Sequence, residues 1–411
     1  MSLKCQKFSG FICGVLLTVI MFTSAASAAE TLSLKSAVET AVTTHPQVLS
    51  RVAEVDTADA AVDAANWGRY PTPTLETATG EGGLTAVLRV DQPVWNGGRI
   101  GSEIDSAEFD KQAALNGVNE ARLDIELRVV EAYVDALVNR NKLVRANAGV
   151  VRHKELYLMM ERRVKQEINS RADLILAESR LLQAQADVSS LEQSYETALT
   201  SLSELTGQSV DGVATVLIEP KSLESLDLLL DEAEEFSPAV KRLSMEIASA
   251  QKQIDVANSA ILPQVVARFE HTNSADVTDN RVMLVLQAQP GAGLSALSNV
   301  RSAESLKRVL EQSRDATLRE IRQRLRADYA LYRSSQVLLT TSRSASEITR
   351  QIFESYMRQF VTGRKTWIDV LNATREMTQA SMSFEDVKGQ SLLSKLKLLS
   401  ITGQLSQSLA Q

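Results

Sequence analysis

The sequence predicts a mainly α-helical protein with a short β component, built from one unit written twice. Three observations predict it: an internal duplication, long stretches of seven-residue apolar spacing, and two proline-marked runs of alternating residues. Sliding the chain against itself brings Ala-Tyr-Val-Asp-Ala-Leu at 132–137 onto Asp-Tyr-Ala-Leu-Tyr at 328–332, and sets Tyr133 and Tyr329 196 residues apart (329 minus 133). The same offset relates Asp173 to Asp369, and Leu205-Thr206-Gly207 to Ile401-Thr402-Gly403. Three matches in one register mark a repeat. Upstream the register drifts as loops differ in length, yet His45-Pro46 answers Ser237-Pro238, Pro73 answers Pro263, and Gln92-Pro93 answers Gln289-Pro290.

The chain opens with Lys4 and Lys7, an apolar run from Phe8 to Phe22, and small residues up to Ala29. This is the pattern of an export signal, and about 15 apolar residues fall short of the roughly 20 that span a bilayer as a helix. Residues 1–29 are read as removed. Cys5 and Cys13, the two cysteines of the chain, both lie there, so neither a disulfide framework nor a lipid-acceptor cysteine at the cleavage point is expected. Removing Lys4 and Lys7 leaves 42 basic against 51 acidic residues, a net of −9. An acidic chain without a basic block is a poor match for nucleic acid.

The first repeat is read over 30–207. A short helix near 47–66 is followed by a β-hairpin over 72–95, a long helix over 99–166 and a return helix over 172–206. Residues 208–236 are read as a linker. The second repeat, 237–403, holds a first helix, a hairpin at 263–290, a long helix at 294–360 and a return helix at 366–402, with a tail at 404–411. The return helices carry 3-4 spacing at Leu174, Ala177, Leu181, Ala184, Val188 and Leu191, and again at Val370, Ala373, Met377, Ala380, Phe384 and Val387. Such heptads imply left-handed supercoiling. At 1.5 Å per residue the long helix would reach about 100 Å, too long for one compact domain. The short first helix stacked on the return helix nearly equals it, so each half is expected to make one continuous and one composite rod.

In the hairpins, Leu84, Ala86, Leu88 and Val90 alternate with Thr85, Val87, Arg89 and Asp91. Val282, Leu284, Leu286 and Ala288 alternate with Met283, Val285, Gln287 and Gln289. One apolar face and one mostly polar face suit a strand between lipid and water. No mature segment has the apolar run of a membrane helix, so a membrane crossing must use strands. Four strands cannot close a barrel of the usual eight or more, so other copies must complete it: two would give eight strands and three would give twelve.

The duplicated order, Asp91-Gln-Pro-Val-Trp-Asn-Gly-Gly-Arg99 entering the long helix, and Gly363-Arg-Lys-Thr-Trp-Ile-Asp-Val-Leu-Asn-Ala373 after the second helical turn together resemble TolC-like outer-membrane proteins. The resemblance covers the whole mature chain. It implies a homotrimer in the outer membrane, with a twelve-strand β-barrel of four strands per chain above an α-helical tunnel through the periplasm. A periplasmic adaptor and an inner-membrane transporter, ABC-type or proton-driven, are its implied partners. It also implies an aperture near the second helical turn. Asp369 falls on the first aspartate of the family's Asp-Val-Leu-Asp motif and Asn372 replaces the second, leaving one acidic ring from three copies. Lys365 stands where arginine is common, Phe360 where tyrosine occurs, and Asp173 at the matching acidic position of the first repeat; these three form the implied latch. The plainer account of Asp173, Lys365 and Asp369 is a solvated charge near a helix start, where a carboxylate is favoured.

No enzyme is expected: His45, His153 and His271 have no ligand spacing, and phosphate-cradling and nucleophile motifs are missing. No cofactor or metal is called for. A periplasmic coiled-coil adaptor or scaffold is the competing class, but it should carry one helical hairpin rather than two. Between cargoes, the unlipidated start favours type I protein secretion over multidrug efflux.

Overall fold

The structure is a computed structural model that describes residues 31–80, 83–216, 225–274, 278–288, 291 and 295–409. Residues 1–29, read as the export signal, lie outside these, as do the turn residues 81–82 and Gln289-Pro290 at the end of the second hairpin. Thirteen elements follow in order: α1 Leu34–Thr44, α2 Pro46–Trp67, β1 Thr72–Gly80, β2 Gly83–Trp95, α3 Arg99–Lys165, α4 Arg171–Thr206, α5 Leu226–Phe236, α6 Pro238–Ser259, β3 Gln264–Asn273, β4 Thr278–Gln287, α7 Ser295–Val361, α8 Trp367–Ile401 and α9 Leu405–Leu409.

Local chemistry explains the boundaries, and it repeats. His45 and Ser237 cap α2 and α6, and in each helix a proline occupies the first turn, where the missing N–H costs nothing. Ser170 and Thr366 cap α4 and α8 in matching capping boxes. Gly207 and Gly403 end those helices with φ of 68° and 73°, a left-handed conformation that glycine adopts without a Cβ clash. The segment read as a linker, 208–236, contains α5. This helix starts after Ser225 and buries Leu229 and Ala233, one turn apart, against Leu127, Leu325, Leu398 and Ile401. The tail likewise contains α9, anchored by the buried Leu405.

Both α3 and α7 are 67 residues long, about 100 Å by helical rise. α2 and α4 both pack along α3, and α6 and α8 both pack along α7, so each long helix is flanked by one short helix and one return helix. α3 also contacts α6 and α8, so the two halves are joined along their length. The main core lies where Ile125, Val129, Val130 and Tyr133 of α3 meet Leu34, Ala37 and Ala41 of α1, Leu199 and Leu202 of α4, and Leu396 and Leu399 of α8. Each fully buried leucine or isoleucine there contributes roughly 1.5–3 kcal/mol. The Tyr133 hydroxyl reaches the carbonyls of Leu32 (2.7 Å) and Ala214 (2.9 Å), tying the bridge between Leu32 and Val213 to α3. Where α3 crosses α8 the backbones come close: a Cβ on Gly389 would stand 2.0 Å from Cγ2 of Val138. Just below, Glu385, 3% exposed, takes the Arg145 guanidinium at 2.8 and 3.1 Å.

The strands form one antiparallel sheet in the order β1-β2-β3-β4, and the β2–β3 pairing joins the two repeats. Its outer edges, on β1 and β4, are unpaired among the described residues. The register puts Leu75, Leu88, His271 and Asn280 in one cross-strand row, and Val90, Phe269 and Val282 in the next row of the same face. Leu84, Leu284 and Leu286 share that face, and Val282, Leu284 and Leu286 are 72–81% exposed. The opposite face carries the charges: Arg268 holds Asp91 through two bonds of 2.7 and 2.8 Å, and Arg89 stands 3.5 Å from both Glu76 and Glu270. The alternation expected from the sequence is therefore realised, with one face mostly apolar, interrupted by the His271–Asn280 pair, and the other ion-paired. Among the described residues no helix is long and apolar enough to cross a membrane.

Candidate functional site at the helical tips

Two helix-to-helix turns, α3–α4 and α7–α8, lie at the end of the helices remote from the sheet, and they are built alike. In the first, Asp173 is the third residue of α4: its carboxylate accepts from the Ser170 N–H (3.2 Å) and hydroxyl (2.9 Å), while its own N–H donates to the Ser170 Oγ (3.2 Å). In the second, Asp369 accepts from the Thr366 N–H (3.1 Å) and hydroxyl (2.7 Å), and its N–H donates to the Thr366 Oγ1 (3.3 Å). Ser170 and Thr366 are thus the caps, and each aspartate, in the first turn of its helix, completes the box by accepting the N–H of the cap residue. Their acidity follows. The Thr366 hydroxyl and N–H, aided by the Lys365 charge, hold Asp369 below the usual carboxylate range. Burial works against ionisation of Asp173, but hydrogen bonds from Asn169 and Ser170 outweigh it and lower its pKa too. Both stay charged into mild acid.

Asn372 lies half-buried one turn after Asp369 on α8. Lys365 places its ammonium 4.1 Å from the Tyr356 ring centroid, on its own hairpin, so in the single chain it is a cation–π partner. Phe360 is 6% exposed, with its ring 5.1 Å from that of Trp367 and the Arg163 guanidinium 4.9 Å above it. Its contribution within one chain is packing. Beneath lies an apolar cluster of Leu156, Met160, Ala177, Phe353, Val370 and Leu371.

One turn residue is strained. Glu167 has φ of 59°, and the equivalent residue in the second turn is Gly363, with φ of 75°. A non-glycine residue in the left-handed region carries about 1–2 kcal/mol of strain. Glu167→Gly is expected to leave the fold intact and to stabilise it by up to about 1 kcal/mol once the unfolded-state entropy of glycine is allowed for, as read from denaturant midpoints. A drop in midpoint would mean that the Glu167 side chain contributes more than its backbone costs.

Sequence reasoning passed over two features. Trp367 is 4% exposed, and its indole N–H donates to the Asp173 carbonyl at 3.1 Å, across 194 residues. At the other end of the molecule, Trp67, Tyr70 and Trp95 stand exposed where the helices give way to the sheet, with Trp67 and Tyr70 rings 5.2 Å apart. Aromatic side chains at the end of an apolar strand face mark a membrane–water boundary, and their positions flanking β1 and β2 were a readable signal.

Comparison with known proteins agrees with this architecture. The sequence pattern of the family described as outer membrane efflux protein matches twice, over residues 37–208 and 229–404. Outer membrane protein TolC of Vibrio cholerae serotype O1 is 24% identical over 74% of this chain and 73% of its own. The cobalt-zinc-cadmium resistance protein CzcC of Cupriavidus metallidurans is 23% identical over 88% of each chain. Among solved structures, the outer-membrane channel OprN superposes with a TM-score of 0.80 at 17% identity, covering 91% of this chain and 90% of its own. CusC gives 0.79 at 14%, covering 90% and 91%. The fold is the one these solved outer-membrane channels share, a duplicated helical unit that carries a four-stranded antiparallel sheet. With two matched segments spanning both repeats, a sheet open at both edges and an exposed apolar face, the chain belongs to the outer membrane efflux protein family.

Proposed function

We propose that this chain is the outer-membrane exit duct of a type I protein secretion system, with its helical tunnel extending into the periplasm to meet an adaptor and an inner-membrane transporter. The observation that carries the channel reading is the four-stranded sheet with a lipid-suited apolar face, an ion-paired opposite face and two unpaired edges. Protein cargo is the reading favoured where the expected export signal holds both cysteines, Cys5 and Cys13, away from its cleavage point. A polar conduit driven by a partner needs no pocket for its cargo. Small-ion or drug efflux is the second reading, favoured by the likeness to CzcC along nearly its whole length. Deleting the gene and assaying a secreted large protein beside metal and drug susceptibility separates them. Loss of the secreted protein at unchanged susceptibility supports secretion, and sensitisation alone supports efflux.

Asp369 and Asn372 are proposed to line the narrow periplasmic end, where three copies of Asp369 make an acidic ring. Asp173, Lys365 and Phe360 are proposed to stand at its fastening. In planar bilayers, Asp369→Ala trimers should lose several-fold in cation preference and in block by divalent ions. Unaltered preference and block would remove Asp369 from the aperture. Because the Thr366 hydroxyl and N–H, with the Lys365 charge, hold Asp369 below the usual carboxylate range, wild-type cation preference should persist through mild acid and decline only in stronger acid.

A further inference from the structure

Resting on the channel reading, we propose that Trp367 is the clasp that fastens the two helical hairpins of one subunit to each other at the closed end of the tunnel. Along most of their length α4 and α8 are separated by α3, on which both pack. At the tip they meet through the Trp367 indole, whose N–H donates to the Asp173 carbonyl at 3.1 Å. Among the described residues of the tip, no other hydrogen bond or ion pair runs between these two helices. Lys365 sits over Tyr356 of its own hairpin, and Phe360, which has no hydroxyl, offers the other hairpin a ring face but no hydrogen bond.

The clasp closes a circuit of contacts. Trp367 packs on Phe360, and Phe360 lies under Arg163 of the first hairpin. Arg163 donates to Asn169 Oδ1 at 2.7 Å, Asn169 donates to the Asp173 carboxylate at 3.2 Å, and the Asp173 carbonyl receives Trp367. The hairpins are therefore joined at the tip by the indole bond, by cation–π stacks of Arg163 on Phe360 and Arg152 on Phe353, and by the apolar cluster beneath, of which the indole bond alone is a hydrogen bond between α4 and α8. The bond is built for release. The Asp173 carbonyl has a second lone pair for its own helix, so freeing the indole bares no buried acceptor, and hairpins that part let water reach the N–H. A clasp of this kind biases the tip toward closure without welding it.

The test uses full-length trimers in lipid, comparing wild type, Trp367→Phe and Trp367→Ala. Phenylalanine keeps an aromatic ring on Phe360 and removes only the N–H, so it is the deciding variant if the alanine form fails to assemble. Ile175→Cys and Ile368→Cys, on exposed positions of α4 and α8 and in a mature chain without other cysteine, carry spin labels in subunits diluted with unlabelled ones. Trp367→Phe is expected to raise single-channel conductance about twofold or more and to lengthen and broaden the label-to-label distance, with Trp367→Ala exceeding it in both. Conductance and distances equal to wild type in Trp367→Phe would overturn the clasp. A wild-type trimer that does not conduct would instead strike the channel reading, and the label distances would still decide the clasp.

Discussion

Leu284→Arg is expected to abolish the heat-modifiable trimer in outer-membrane fractions, while Val285→Arg, one residue on, leaves it in place. Leu284 lies mid-strand in β4 on the apolar face, 75% exposed in the single chain, and Val285 points to the opposite face, across from Val266. An arginine on the lipid side near the midplane costs about 2–4 kcal/mol per copy, and a trimer incurs it three times. The same charge on the interior side meets water and other charges. A globular protein with a soluble sheet would show the reverse, since an exposed arginine costs nothing in water. Equal tolerance of both substitutions would remove the lipid assignment of this face.

Gly389→Ala carries the second large effect. The new Cβ would stand 2.0 Å from Val138 Cγ2, on a β-branched side chain that has little rotamer freedom within a helix. Relief requires α8 to move away from α3, which also loosens the pairing of Glu385 with Arg145. Overpacking of this kind typically costs about 1–3 kcal/mol. A lower thermal midpoint is expected for Gly389→Ala, with recovery in the double variant Gly389→Ala/Val138→Ala, where the methyl takes up vacated space. Failure of the second change to restore stability would place the strain elsewhere.

Much of this architecture is legible in the sequence because it rests on local chemistry that repeats. The 196-residue offset relates Ser170 to Thr366 and Asp173 to Asp369, and both pairs become the capping boxes of the return helices. Alternation in Leu84–Val90 and Val282–Leu286 becomes the exposed apolar face, since side-chain direction in a strand is fixed by parity. α5 escapes because 208–236 breaks the heptad pattern, although Ser225 followed by Leu226, Leu229, Leu230 and Ala233 is a helix start with one apolar stripe. The tip is harder. Lys365 finds Tyr356 across the turn of its own hairpin, a pairing no periodicity announces, and that Trp367 rather than Phe360 makes the polar link between hairpins depends on Trp367 meeting Asp173, 194 residues away in sequence. The near-contact of Gly389 with Val138 is likewise tertiary, and a glycine inside a helix announces a close approach without naming the partner.

The account depends on four strands per chain that cannot seal themselves in lipid and on rods of about 100 Å beneath them. Images of single particles of the detergent-extracted protein test this most directly. A threefold tube, open along its axis and capped at one end by a short barrel, is the predicted result. A single-subunit globule, or any assembly that lacks a hollow axis, would contradict it.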